Sequence, residues 1–501
     1  MQDIASAERR QLKRRQIMQK RLLLIFAILI SNLIYSQTCN CSDTFTWLKE
    51  TFEKNDAGFQ YVIDQKGAAD YKRICEIYVE KVKSITNKNA CADTLINWLR
   101  YFRKGHLWLE PIADKASATT ERIDKDKIRK QYKDWETYKY DEKEFNTYVS
   151  KLKEPGLEGI WGSPPYKIGI RKVDDEYLGF VMEADGVYWT KSQIKFKIKN
   201  ENGKLVATYY MQNHSPTTIK EIKLLGNNYL SMDFVLLKRM VSNFPSDNSL
   251  ETFFKFKSTN IPLFERLSDK TVILRIPSFD GSMKKLIDSI IVANLQTITK
   301  TENLIIDLQN NGGGNDESYE KLIPLIYTNP IRTVGLEFLS TTLNNRRMEE
   351  FANDPEASAD EKKWVNDALE KLNNNIGKFV NLDSSMINTE TYDTVLVFPK
   401  NVGIIINEGC GSTTEQFLLA AKQSKKVKLF GTTTFGSLDI SNMYSVKSPC
   451  NDFELGYCLS KSYRIPDFAI DGKGIQPDYY LDQTIPAYKW IDFVNNILNS
   501  K

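Results

Sequence analysis

A serine hydroxyl performs acyl-transfer chemistry only where a base can take its proton, and this chain offers two histidines, His106 and His214. Ser412 stands in EGCGSTTEQF, after the apolar run at 402–407 and ahead of a segment rich in Leu and Ala. At a sharp strand-to-helix turn, a serine holds its hydroxyl clear of the backbone, and the next N–H, at the helix N-terminus, helps bind an oxyanion. The same letters also spell a capping box, Ser412 with Glu415, which would make the serine a helix start and nothing more. DLQNNGGG, at 307–314, follows the apolar run NLII. Its glycines either expose N–H groups to a close neighbour or form a flexible turn. His106, in RKGHLWLEP, ends a helical stretch, and His214, in MQNHSPT, reads as a solvated loop histidine. Cys410 is an alternative nucleophile whose local sequence fits a structural position.

The elements that must position these groups follow from hydrophobic spacing. Helical periodicity over 37–113 predicts a helical head that carries His106, and the charge-dense stretch 114–155 predicts exposed helices on a connector. Residues 156–250 switch to short alternating runs broken by VDDE, NENG and GNN, which predicts an antiparallel β-domain. YLGF at 177–180 resembles the carboxylate-binding loop of PDZ domains, but it lies inside a strand-like run and no later PDZ pattern follows. From 262 to 485, apolar strand runs alternate with amphipathic helices as in an α/β core, interrupted by a charged helical insertion at 344–377 and followed by a C-terminal helix at 486–501.

A chain of 501 residues exceeds one compact core, and 41% hydrophobic residues suffice to fill several. The formal charge of +4 is concentrated at the start: residues 1–21 hold seven cations against two anions, so the remainder is slightly negative and carries no electrostatic footprint for nucleic acid. That basic stretch, the short apolar run LLLIFAILI and Ser36 predict a signal peptide over 1–36, with cleavage after Ser36, and no stable membrane span after cleavage. Export lets disulfides persist. The expected pairing joins Cys450 with Cys458 across a hairpin, makes two bridges among Cys39, Cys41, Cys75 and Cys91, and leaves Cys410 over. The cysteine spacing and the two histidines do not make a zinc site.

VILRIPSF at 272–279, LIIDLQNNGGG at 304–314, IIINEGCGSTTEQF at 404–417, LFGTTTFG at 429–436 and DGKGIQPD at 471–478 stand in the order found in peptidase family S41. The chain resembles these tail-specific and tricorn-like serine proteases over roughly residues 265–482. The resemblance implies a mixed α/β (α+β) fold with a crotonase- or ClpP-like αβ spiral core, the helical head and the β-domain preceding it. Where the tail-specific branch carries its lysine, this chain has Ser437. The tricorn-like branch takes a histidine from the Gly-His region, here His106, and a glutamate whose position is occupied by Asp471; Gly105 replaces a serine that precedes the histidine.

By that resemblance, Ser412 is the nucleophile, His106 the general base and Asp471 the group that holds the imidazole in its working tautomer. The N–H of Thr413 and one from Gly312 or Gly313 form the oxyanion hole. The implied protein is an exported, periplasmic or secreted, serine peptidase acting on polypeptide, with no cofactor. The alternative on the same scaffold is a binding protein for a peptide or hydrophobic ligand, because fold does not fix function.

Overall fold

Strands covered on both faces lose the apolar–polar alternation of half-exposed ones, and TVILR and NLIID are buried at every position. The computed structural model describes residues 40–112, 125–241, 244–355, 357–383 and 385–500. The expected signal peptide and Cys39 lie outside the described residues.

Four helices come first, α1 (Cys41–Asn55), α2 (Phe59–Lys66), α3 (Ala68–Val82) and α4 (Lys88–Leu99), then β1 (Trp108–Pro111). Nine strands follow: β2 (Gly159–Ser163), β3 (Tyr166–Val173), β4 (Glu176–Glu183), β5 (Ile194–Glu201), β6 (Lys204–Tyr210), β7 (Pro216–Ile219), β8 (Ile222–Leu225), β9 (Tyr229–Met232) and β10 (Val235–Arg239). The chain continues through β11 (Leu263–Arg266), β12 (Thr271–Arg275), α5 (Lys284–Ile298), β13 (Asn303–Asp307), β14 (Ile331–Val334), β15 (Leu336–Leu339), β16 (Phe379–Val380) and β17 (Ile387–Glu390). It ends with β18 (Asn401–Ile406), α6 (Thr413–Ala421), β19 (Val427–Gly431), β20 (Ile440–Lys447), β21 (Phe453–Ser462), β22 (Tyr479–Tyr480) and α7 (Trp490–Asn499).

These elements divide into two units. The first gathers three stretches of chain, Met1–Asp114, Val334–Met386 and Asp439–Asp471. Asn40 and Asn87 cap α1 and α4 by accepting the N–H of Asp43 and Ala90. The helices bury Phe45, Leu48, Phe52 and Trp98 against Phe453, Leu455 and Tyr457 of β21. β21 is the spine of the sheet, pairing antiparallel with β1, β15 and β20. The helical insertion belongs here: helix Ala359–Asn373, opened by a Ser358–Glu361 capping box, packs Val365 and Leu372 on Met348 and Val380.

The second unit holds Lys115–Thr333, Ile387–Leu438 and Gly472–Lys501. Its nine-stranded sheet is wholly antiparallel, in the order β7-β6-β5-β4-β3-β2-β10-β9-β8. The NENG turn joins β5 to β6 with positive φ at Asn202 and Gly203, the backbone sense that a tight hairpin demands. The YLGF segment lies within β4. Parts of the charge-dense stretch are less exposed than its composition suggests, because its aromatics pack on this sheet: Trp135 joins the main cluster, and Phe145 and Val149 meet Ile160 and Phe180.

A second, six-stranded sheet runs β11-β12-β13-β18-β19-β22, parallel from β12 onward, with α5 and α6 as crossovers. Ile273, Ile305, Ile405 and Phe430 present one face of it to Trp490, Val494 and Leu498 of α7.

The disulfides correct two of the expectations. Cys41 is bonded to Cys91, tying α1 to α4, while Cys75 remains a buried thiol. Cys450 is disulfide-bonded, but Cys458 is a free, buried thiol. Geometry explains the second correction. Cys450 lies in the turn after β20, whereas Cys458 sits well up β21, opposite Met443. At ~3.3 Å per strand residue, that exceeds the Cα separation a disulfide spans, at most ~7 Å.

Alkylation of the denatured, unreduced protein should therefore label Cys75, Cys410 and Cys458 and spare Cys91, as read by peptide mass mapping. Cys91→Ser should lower stability by ~2–5 kcal/mol in chemical denaturation, the usual cost of losing a native bridge. Labelling of Cys91 before reduction would contradict the pairing.

Candidate active site

Adjacent parallel strands deliver two of the sequence motifs to one place. β13 and β18 pair in register from Asn303 and Asn401, so the glycine run after β13 and the Ser412 turn after β18 both leave the carboxyl ends of neighbouring strands. That edge of an open parallel sheet is where ligands bind in α/β folds.

Ser412 has φ 56° and ψ −126°, a conformation that costs a non-glycine residue ~1–3 kcal/mol and persists only where its surroundings enforce it. The enforcement comes from Glu415. Its carboxylate is fully buried and accepts the Ser412 N–H at 3.3 Å, the Gly436 and Ser437 N–H groups at 2.8 Å each, and the Thr434 hydroxyl at 2.5 Å. Burial pushes this carboxyl above the usual range, against the pull of those donors. The capping-box partner seen in the sequence thus also fastens the Ser412 turn to the 434–437 loop. Ser437 is buried there, with its N–H on Glu415.

The glycine run closes on the same turn. The Gly411 N–H donates to the Asn311 carbonyl at 3.2 Å, and the Thr414 hydroxyl donates to it at 2.8 Å. The Thr413 hydroxyl donates to the Gly314 carbonyl at 2.9 Å. Gly313 has φ +103°, and a Cβ there would lie 2.7 Å from the Ser412 Cβ and 2.8 Å from the Thr413 nitrogen. Only glycine fits that backbone and that gap. The Gly313 N–H donates to the Asn311 side chain at 3.1 Å, whereas a Cβ on Gly312 would meet nothing within 4 Å. Cys410 is fully buried, its thiol donates to the Leu308 carbonyl at 3.0 Å, and burial pushes it up to about 12. It is a structural thiol.

His106 and Asp471 lie in the first unit. His106 adopts a positive φ, 54°, between α4 and β1. Its Nδ1 meets the Ile440 carbonyl at 2.7 Å. A carbonyl only accepts, so Nδ1 carries the proton and Nε2 is the basic nitrogen. Asp471 Oδ1 accepts the Asp439 N–H at 2.7 Å, and Oδ2 accepts the Ile440 N–H at 3.3 Å. The acid therefore anchors the strand whose carbonyl orients the ring, and it also attracts the imidazolium through space. Desolvation is the larger effect and holds His106 below its ordinary 6.5, opposed by the Ile440 hydrogen bond and Asp471 and assisted by Arg103.

Two buried ion pairs support this arrangement, and neither was read from the sequence. Arg103 binds both oxygens of Asp56 and donates to the His106 carbonyl at 3.2 Å, while Asp56 accepts the Cys458 N–H at 3.1 Å. Asp439 takes Arg464 Nε at 2.9 Å and the Ile470 and Asp471 N–H groups at 2.5 and 2.8 Å. No local signal marks these acids, because their partners are remote in sequence. His214 differs from its reading as a solvated residue. It is buried, stacked between Tyr132 and Trp189 at 3.9 and 3.8 Å, and its Nε2 bonds the Tyr188 carbonyl.

Residues 270–481 match the model of peptidase family S41. This part of the chain belongs to that family. A protein described as "Probable CtpA-like serine protease", from Staphylococcus aureus strain COL, is 32% identical over 100 residues, which are 19% of this chain and 18% of the relative; the match from strain N315 has the same values. The aligned stretch thus spans about a fifth of the curated relatives' length. The solved structure of mature CPAF complexed with lactacystin aligns over 92% of this chain and 97% of its own, with a TM-score of 0.50 and 12% identity. At that identity the likeness concerns the fold.

Gly313→Ala should strain the Ser412 turn from outside. Thermal unfolding should shift to lower temperature, and any serine-directed acylation should fall ~10²-fold or more, as when an oxyanion donor or reacting group is displaced. Wild-type acylation in the folded variant would show that Gly313 does not shape the turn.

Proposed function

We propose that the protein is an exported serine peptidase that cleaves polypeptides by acyl transfer, with Ser412 as nucleophile, His106 as general base and Asp471 as its electrostatic partner. The observation that carries the reading is the enforced backbone of Ser412 at a strand-to-helix turn, since a plain helix cap does not need that strain. The Ser412 hydroxyl attacks the scissile carbonyl while Nε2 of His106 takes its proton and later returns it to the leaving amine. The Ile440 carbonyl, bonded to Nδ1, supports the required tautomer. The developing oxyanion meets the Thr413 N–H together with one from the glycine run, for which Gly312 is the better donor than Gly313 because the Gly313 N–H is held by the Asn311 side chain. Ser437, in place of a lysine, supports the Ser-His branch over the Ser-Lys one.

The Cys41–Cys91 bridge and the bonded Cys450 support export into an oxidising compartment. Among the described residues no helix is long and apolar enough to cross a membrane.

A fluorophosphonate probe should label wild-type protein and not Ser412→Ala, with the two unfolding at similar temperatures; labelling that survives in Ser412→Ala defeats the assignment. His106→Gln should slow labelling by about 10²–10⁴, the range for losing a general base. Unlabelled wild type would favour the binding-protein alternative.

The pH dependence has a definite sign. His106 is held below 6.5, so the neutral, competent imidazole persists into mild acid. The acid limb of kcat/KM should have its midpoint below pH 6.5, and Asp471→Asn should move it lower still by removing an attraction for the proton. A wild-type midpoint above 6.5 would contradict the burial-dominated environment.

A further inference from the structure

A lysine inside an otherwise buried strand is the least expected residue of the β-domain. Lys195 of β5 lies between Ile194 and Phe196, and all three are buried. Its Nζ donates to the Tyr210 carbonyl at 2.6 Å and more weakly to the Met211 carbonyl at 3.4 Å. The ammonium also lies 4.0 Å from the Trp189 ring, 4.9 Å from Tyr209 and 5.0 Å from Tyr166. No carboxylate forms an ion pair with it among the described residues. Asp185 attracts it only through space, with its Oδ1 accepting the Val187 and Trp189 N–H groups. Carbonyls and ring faces soften the burial of a cation but do not neutralise it. Burial accordingly pushes Lys195 down to about 7.

Lys195 lines a cavity of about 280 Å³ whose walls include Tyr166, Ile168, Phe196, Tyr209 and Leu237. At its rim, Phe234 is 55% exposed and sets its ring edge-on to Tyr209 at 5.7 Å. Neither the Tyr166 nor the Tyr209 hydroxyl has a hydrogen-bond partner among the described residues. The cavity therefore combines an uncompensated cation, two available phenol donors and apolar walls, at the small end of the range for ligand sites.

We propose that this cavity binds a small ligand carrying one carboxylate on an aryl or similarly compact apolar group. The carboxylate takes the Lys195 ammonium and the Tyr209 hydroxyl, the phenol beside the rim residue Phe234, charge-assisted bonds in a desolvated setting, and the apolar group fills the space beside Phe196 and Leu237. The site lies in the nine-stranded sheet and is independent of the chemistry proposed for Ser412.

The test is calorimetric titration of the full chain with 3-phenylpropionate, its neutral analogue 3-phenylpropanamide, and acetate. The acid should bind at least tenfold more tightly than the amide, and acetate should give no measurable heat. In Lys195→Met, checked for folding by thermal unfolding, the acid should fall to the level of the amide. Phe234→Ala should weaken acid and amide alike. Tyr209→Phe, which keeps the ring, should weaken the acid several-fold and leave the amide unchanged, and it decides the matter if Lys195→Met does not fold. Equal binding of acid and amide, no binding of either, or an acid preference that survives in folded Lys195→Met would overturn the proposal, as would an unchanged acid affinity in Tyr209→Phe.

Discussion

The strained backbone of Ser412 is the constraint on which the chemistry proposed for the second unit rests. A side chain at φ 56° does not stay there by preference. It stays because Glu415, buried and with no cation bonded to it among the described residues, gathers donors from both the turn and the 434–437 loop. The glycine run meets the turn from the other side, where Gly313 leaves no room for a Cβ. Strain, a buried carboxylate and a missing side chain are each unfavourable alone. Together they define one conformation, the preorganisation that the proposed nucleophile requires.

In the first unit the same economy governs an imidazole. His106 is not oriented by a carboxylate alone: a main-chain carbonyl fixes its Nδ1 proton, and Asp471 holds the strand that bears this carbonyl. An aspartate reaches less far than a glutamate. Here its oxygens grip two successive N–H groups, so its influence on the ring passes through backbone as well as through space. Arg103 and Asp56 secure the other side of the histidine turn. Breaking buried pairs of this kind leaves an uncompensated charge, so these residues couple the position of the imidazole to the stability of its surroundings.

Much of this was legible in the sequence because it depends on local pattern. The strand runs before Asp307 and Asn407, the glycines, the Ser412 turn and the Gly-His step are short-range signals, and the order of five motifs pointed to the family. The NENG turn likewise announced its hairpin through the backbone demands of two residues. What escaped depends on long-range partners. Asp439 and Arg464, Asp56 and Arg103, and His106 and Ile440 are brought together by the packing of the first unit, and no spacing rule connects them. The cysteines misled for the same reason: proximity along the chain suggested that Cys450 pairs with Cys458, while the hairpin register keeps them apart. His214 does lie in a loop, between β6 and β7, but its turn-forming neighbours suggested solvent around a ring that is buried. The rings that cover it, Tyr132 and Trp189, come from elsewhere in the sequence.

The interleaved construction of the first unit bears on the order of events during synthesis. His106 emerges from the ribosome early, but its carbonyl acceptor is 334 residues later, and Asp471 later still. Until those residues are made, the helical segment at the start of the chain lacks β20 and β21, against which it packs. The nascent polypeptide therefore spends most of translation without the contacts that orient this imidazole, a delay written into the threading of the backbone.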